Sequence, residues 1–285
     1  MRIISLMLVA FMLQACSASK LAYNQAPDLA YWYLDGFVDF SGAQSVQVKD
    51  DLSKLQAWHR QTQLPTYIDT LQKMTQKMPV DVSAQDACTI FSEARRKFLI
   101  VSDQAQPVVV TLLDTLTSSQ IDVMARKFEK GNVEYRKDYL QTGKPINQSK
   151  RYKQAVSRAE TLYGRLDDKQ TSLIASQVEK SRFNATLAYA ERQRRQQDVL
   201  QTLRALSKIQ PTTEQKKLAV RSLFERSFVS PNANYADYVE ALTKDSCANF
   251  ANLHNTTSAS QRLKAVETLM GYEQDIRTLS AQGNG

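Results

Sequence analysis

Leu116-Thr117-Ser118-Ser119-Gln120-Ile121-Asp122-Val123-Met124 is the stretch whose pattern decides the fold. A hydroxyl just ahead of a helix can accept the N–H of the third helical residue, and a Gln at that third position can reach back to the cap's own N–H. After Gln120 the residues Ile121, Met124, Phe128, Tyr135 and Tyr139 recur at helical spacing along one stripe. The same Ser/Thr/Asp-x-x-Gln signature stands at Ser41 to Gln44, Asp167 to Gln170, Thr212 to Gln215 and Ser258 to Gln261. Each opens a helical pattern, the last continuing through Leu263, Val266, Met270, Ile276 and Leu279. Period-two alternation is sustained nowhere, and 8 Gly and 7 Pro in 285 residues are too few for many strands and tight turns. The fold class is all-α, with about nine or ten helices expected.

Working outward, helices are expected from Pro27 towards Phe40, from Gly42 to Lys77 with a kink at Pro65, and from Ser83 to Leu116 with a break near Pro107. Further helices follow near 118–141, 150–164, 168–180, 184–208, 213–228, 233–254 and 259–281. Gly143-Lys144-Pro145-Ile146-Asn147 and Ser230-Pro231-Asn232 are too short to separate domains. Residues 27–285 therefore read as one helical domain.

The N-terminus reads as an address. Arg2 precedes an apolar run from Ile3 to Leu13, too short for a permanent bilayer span and suited to a signal peptide over residues 1–15. The run closes on Leu13-Gln14-Ala15-Cys16, which resembles the bacterial lipobox, although Gln14 is a less usual occupant of its position. That resemblance implies cleavage before Cys16, diacylglycerol on its sulfur and an acyl chain, such as palmitate, on its amino group. A plain secretory signal with an incidental cysteine is the alternative. Ser17 follows where Asp commonly retains lipoproteins at the inner membrane, so the expected location is the outer membrane, facing the periplasm. Residues 16–26 would form a lipidated polar tether. No later run approaches 18 apolar residues, so the lipid would be the membrane attachment.

Export changes the reading of Cys88 and Cys247. In an oxidising compartment a lone pair is expected to form a disulfide, although spacing alone leaves open two thiols that never meet. The aromatic stretch Tyr31-Trp32-Tyr33-Leu34-Asp35-Gly36-Phe37-Val38-Asp39-Phe40 reads first as a buried helix, and second as a partner or membrane-interface surface beside the anchor.

Chemistry is sparse. His59 (in Trp58-His59-Arg60) and His254 (in Leu253-His254-Asn255) have no nucleophile in their sequence neighbourhoods, and HExxH, GxSxG, P-loop and CxxC signatures are missing. No metal, cofactor, catalytic residue or small-molecule substrate is expected. Glu191-Arg192-Gln193-Arg194-Arg195-Gln196-Gln197-Asp198 reads as a solvated helix face. Nucleic acid is an unsuitable partner for an exported chain, despite the net charge of +8.

Several stretches together resemble a family of uncharacterised proteobacterial lipoproteins, an all-helical domain of unknown function. They are Leu21-Ala22-Tyr23-Asn24, Ala57-Trp58-His59-Arg60 with Leu64-Pro65, Asn132 to Leu140, Ala159 to Leu166, Ala190 to Gln196, and Leu253-His254-Asn255-Thr256-Thr257. The resemblance implies an exported, lipid-anchored helical domain and carries no activity to transfer. Should its two histidine stretches meet in the fold, Trp58, His59, Arg60, His254 and Asn255 would form a buried polar cluster. Leu116-Thr117-Ser118-Ser119-Gln120 also resembles the LTxxQ motif of Spy-like periplasmic chaperones, a pattern any capping box behind an apolar residue must produce. The expected function is a non-enzymatic binding or structural protein that recognises a protein or envelope component. A chaperone-like module and, less favoured, an envelope-acting hydrolase are the alternatives.

Overall fold

The computed structural model describes residues 19–141 and 149–282. Among the described residues there are no strands, and eleven α-helices follow a helical turn at 19–24. In chain order they are α1 (Ala26–Val38), α2 (Gly42–Trp58), α3 (Leu64–Lys77), α4 (Ala84–Leu112), α5 (Ser118–Tyr135), α6 (Lys150–Tyr163), α7 (Asp168–Glu179), α8 (Ala185–Ser207), α9 (Thr213–Phe228), α10 (Ala233–His254) and α11 (Ala259–Ala281). All five Ser/Thr/Asp-x-x-Gln signatures are reciprocal capping boxes, at the starts of α2, α5, α7, α9 and α11. A sixth, Ser83 with Asp86, opens α4, where a short carboxylate takes the role of the amide.

Three local features depart from the sequence reading. Pro107 does not break α4, which runs through it for 29 residues. A proline removes one helical hydrogen bond, a loss offset here because α4 packs on three neighbours, α10, α9 and α2. The kink expected at Pro65 is displaced upstream into a π-helical turn, His59–Gln63, where the Leu64 N–H bonds the His59 carbonyl. Pro65 itself sits in the first turn of α3, a position that needs no intrahelical N–H. The stretch expected as a loose tether is helical over 19–24 and docked on the body. A second π turn, Arg136–Leu140, ends α5.

Two apolar cores result. The larger joins α3, α6, α7, α10 and α11 around Met78, Tyr163, Ile174, Leu253, Ala265 and Leu269. The smaller joins α1, α5 and α8 around Val38, Ile121, Met124 and Leu203. A Cys88–Cys247 disulfide ties the second turn of α4 to α10, with Cα atoms 5.3 Å apart. Among the described residues no helix is long and apolar enough to cross a membrane.

Candidate functional site

The π turn before α3 rotates His59 inward, towards a cavity of about 620 Å³ bounded by the 19–24 turn, α3, α4 and α11. Leu64, Leu71, Val101, Ile276 and Leu279 supply apolar wall, and Ser19 and Tyr23 line it from the N-terminal side. The two ring nitrogens of His59 are each 2.9 Å from a tyrosine oxygen, Nδ1 from Tyr23 and Nε2 from Tyr67. Burial pushes the imidazole below its ordinary pKa and both phenols above theirs. The result is a neutral Tyr–His–Tyr chain, in which the ring donates to one phenol and accepts from the other.

This chain also fastens the N-terminal turn. The Gln56 amide donates to the Tyr23 carbonyl, and the Arg60 guanidinium lies over the Tyr23 ring and donates to Asn24 at 2.7 Å. Farther along, the Ser19 hydroxyl donates to Asp275, and the Lys20 ammonium stands 3.6 Å from the other oxygen of that buried carboxylate.

A smaller apolar cavity of about 320 Å³ continues the first between α3, α4 and α10, reaching Cys247. The two share Thr70 and Ala94. At this boundary the Thr70 hydroxyl donates to Glu93 at 2.6 Å, and Lys73 pairs with the same carboxylate at 3.2 Å. Phe91 and Phe98 stand exposed at the rims.

His254 belongs to a different place. It is fully buried, with Nδ1 2.9 Å from the Tyr163 hydroxyl and Nε2 2.9 Å from the Val80 carbonyl. A carbonyl only accepts, so Nε2 carries the proton and Nδ1 accepts from Tyr163. Asn255 clasps both backbone polar groups of Val82. Together they clamp the loop that leaves α3, while Trp58-His59-Arg60 precede its other end. The 14 residues of α3 put about 21 Å between these groups. The structure therefore does not bring Trp58, His59, Arg60, His254 and Asn255 into one cluster; it makes two separate polar clamps, one at each end of a helix. Tyr23 and Tyr67 were not singled out as partners of His59 in the sequence, because one lies 36 residues away and the other sits across a π turn that shifts helical register.

The polar run at 191–198 is not a solvated face. Glu191 is buried, with Arg194 and Arg195 at 2.9 and 3.0 Å and the Ser230 hydroxyl at 3.1 Å. Arg194 and Arg226 both hold Asp198, while Arg192 donates to Asn132 of α5. These charges join α8 to α5 and α9.

Cys16 lies outside the described residues. Among the described residues no group of three or more His, Cys, Asp or Glu is placed to hold a metal ion. Among known proteins, a model of a family of unknown function, DUF6279, matches residues 36–226, which contain α2 to α8 and most of α9. No curated protein and no solved structure matches the chain.

Proposed function

We propose, for a chain that belongs to the DUF6279 family of unknown function, that it is an envelope lipoprotein acting by binding. Cys16 carries the lipid, the outer membrane holds it, and the helical body faces the periplasm, where it recognises a protein or envelope component through an apolar surface. The Leu13-Gln14-Ala15-Cys16 sequence and the α4–α10 disulfide support export, because such bridges persist in oxidising compartments. The observation that carries the binding reading is the pair of adjoining cavities, whose walls are overwhelmingly methyl and aromatic surface. The His59 nitrogens are both engaged by neutral phenols, an arrangement suited to holding shape.

The test has two parts. Intact mass of the protein purified from its own membranes is expected to show an acylated chain beginning at Cys16, and Cys16→Ala is expected to abolish labelling by a palmitate analogue. Substituting Leu71→Gln and Ala94→Gln in the cavity walls is expected to remove envelope crosslinks while the fold persists. An unprocessed, unlipidated species would overturn the address, and unchanged crosslinks would overturn the cavity as the binding surface.

A chaperone-like reading has one observation in its favour, the exposed rings of Phe91 and Phe98 on α4. It requires suppression of aggregation of an unfolded client, lost on Phe91→Ser/Phe98→Ser.

A further inference from the structure

The helix nearest the anchor is not buried on all sides. Trp32 is 76 % exposed, Tyr33 61 %, Leu29 56 % and Leu21 64 %. The 19–24 turn leads into α1 through Gln25, which departs from helical dihedrals while its N–H bonds the Leu21 carbonyl and its carbonyl accepts the Leu29 N–H. At about 100° per residue, Leu21, Trp32, Leu29 and Tyr33 fall within roughly 120° of arc. Gly36, on the same arc, adds no bulk. The opposite side of α1 is the one that packs, with Val38 buried in the smaller core, while Phe37 at the flank of the exposed arc lies between the Tyr33 ring and Phe128. A Trp and a Tyr beside leucines, presented together to the outside, is the composition of a surface that sits among lipid headgroups.

From this placement we infer that the exposed Leu21–Leu29–Trp32–Tyr33 face lies in the phospholipid–water interface. The inference rests on the membrane attachment proposed above. Leu21 follows Cys16 by five residues, so even a fully extended chain keeps it within about 18 Å of the anchor. Asp28 borders this stripe and no Lys or Arg occurs in residues 21–36, so apolar burial rather than attraction to anionic lipid holds it. The lipid and this face then give two points of contact, which fixes how the body is turned towards the periplasm.

The chain has two tryptophans, Trp32 and Trp58, so a fluorescence difference isolates the first. The lipidated full chain is reconstituted in phosphatidylethanolamine–phosphatidylglycerol vesicles, with and without lipids brominated near the headgroup. Bromination is expected to quench the Trp32 contribution (parent minus Trp32→Phe) at least twofold, at low and high salt alike, leaving the residual Trp58 emission unchanged. Trp32 is exposed, so its replacement leaves the fold intact, which circular dichroism checks. Flotation of the same sample separates the two ideas. A chain that does not float with vesicles overturns the attachment and this inference with it. A chain that floats with Trp32 unquenched leaves the attachment standing and overturns the interface, leaving the face to a protein partner.

Discussion

Gln170 and Gln261 exchange side-chain hydrogen bonds, the Nε2 of each lying 2.8 Å from the Oε1 of the other. Each amide also donates to a carbonyl two residues ahead of the partner's cap: Gln170 to Thr256, and Gln261 to Arg165. Gln44 and Gln120 repeat the arrangement, with reciprocal contacts of 3.3 and 2.6 Å and second bonds to Thr115 and Asp39. Four of the five Gln capping boxes thus fuse into two pairs, each locking two helix starts and the two incoming loops.

Replacing one member should cost more than a lost cap. Gln261→Ala removes a capping partner and two of the hydrogen bonds of the almost wholly buried Gln170 amide, which keeps those to Thr256 and Asp167, for an expected loss of about 1–3 kcal/mol. Gln170→Ala/Gln261→Ala should cost less than the two single changes added. Urea unfolding of the four proteins checks this, and strict additivity would refute the pairing.

Acid should weaken the fold through its histidines. Burial is the main reason His254 and His59 titrate below the ordinary value of about 6.5. The unfolded chain therefore takes up protons first as pH falls. Their contribution is complete above about 6.5 and declines as pH drops towards the folded values. Thermal unfolding between pH 7.5 and 5 should show Tm falling, and His254→Gln/His59→Gln should flatten that slope while lowering Tm at pH 7.5.

The disulfide closes a long loop, its cysteines 159 positions apart. The chain-entropy relation assigns such a loop up to about 5 kcal/mol. Cys88→Ala/Cys247→Ala should lower the urea midpoint substantially, and dithiothreitol should do the same to the parent and nothing to the variant.

Glu191 neutralises guanidinium groups inside the α8 contact. Burial alone would raise its pKa, but hydrogen bonds from Arg194, Arg195 and Ser230 prevail and keep the carboxyl ionised below the ordinary value. Glu191→Ala leaves Arg195 without its carboxylate and Arg194 held by Asp198 and the Arg226 carbonyl, for an expected loss of about 1–3 kcal/mol. A chemical denaturation cost under about 1 kcal/mol would contradict the network.

A side chain at position 131 would displace Arg192. A Cβ there would stand 2.8 Å from the guanidinium Nη2, while that group donates to Asn132 and lies over Tyr135. Gly131→Ala should gain about 0.5–1 kcal/mol from helix propensity in an Arg192→Ala background. In the parent that gain should be cancelled or reversed, and equal effects in both backgrounds would dismiss the close approach.

The α-helices, their starts and most of their ends were legible in the amino-acid sequence, because caps and amphipathic stripes are set by residues within four positions of one another. Ser258 with Gln261 and Thr117 with Gln120 signal a helix start whatever lies nearby. Local rules misjudged Pro107, whose lost hydrogen bond is small beside the packing along α4, and the π turn at His59–Gln63, which local propensity does not encode. Long-range partners were not legible at all. Gln170 finds Gln261, His59 finds Tyr23 and Tyr67, Glu191 finds Ser230, and Trp32 stays exposed among the described residues, only because of which helix faces which. The sequence by itself determined an all-helical chain with these helix starts, through short-range hydrogen bonds that any context preserves. The tertiary structure alone decided which polar groups are buried together and which aromatic face stays open, because burial is a property of the assembled helices and not of any one of them.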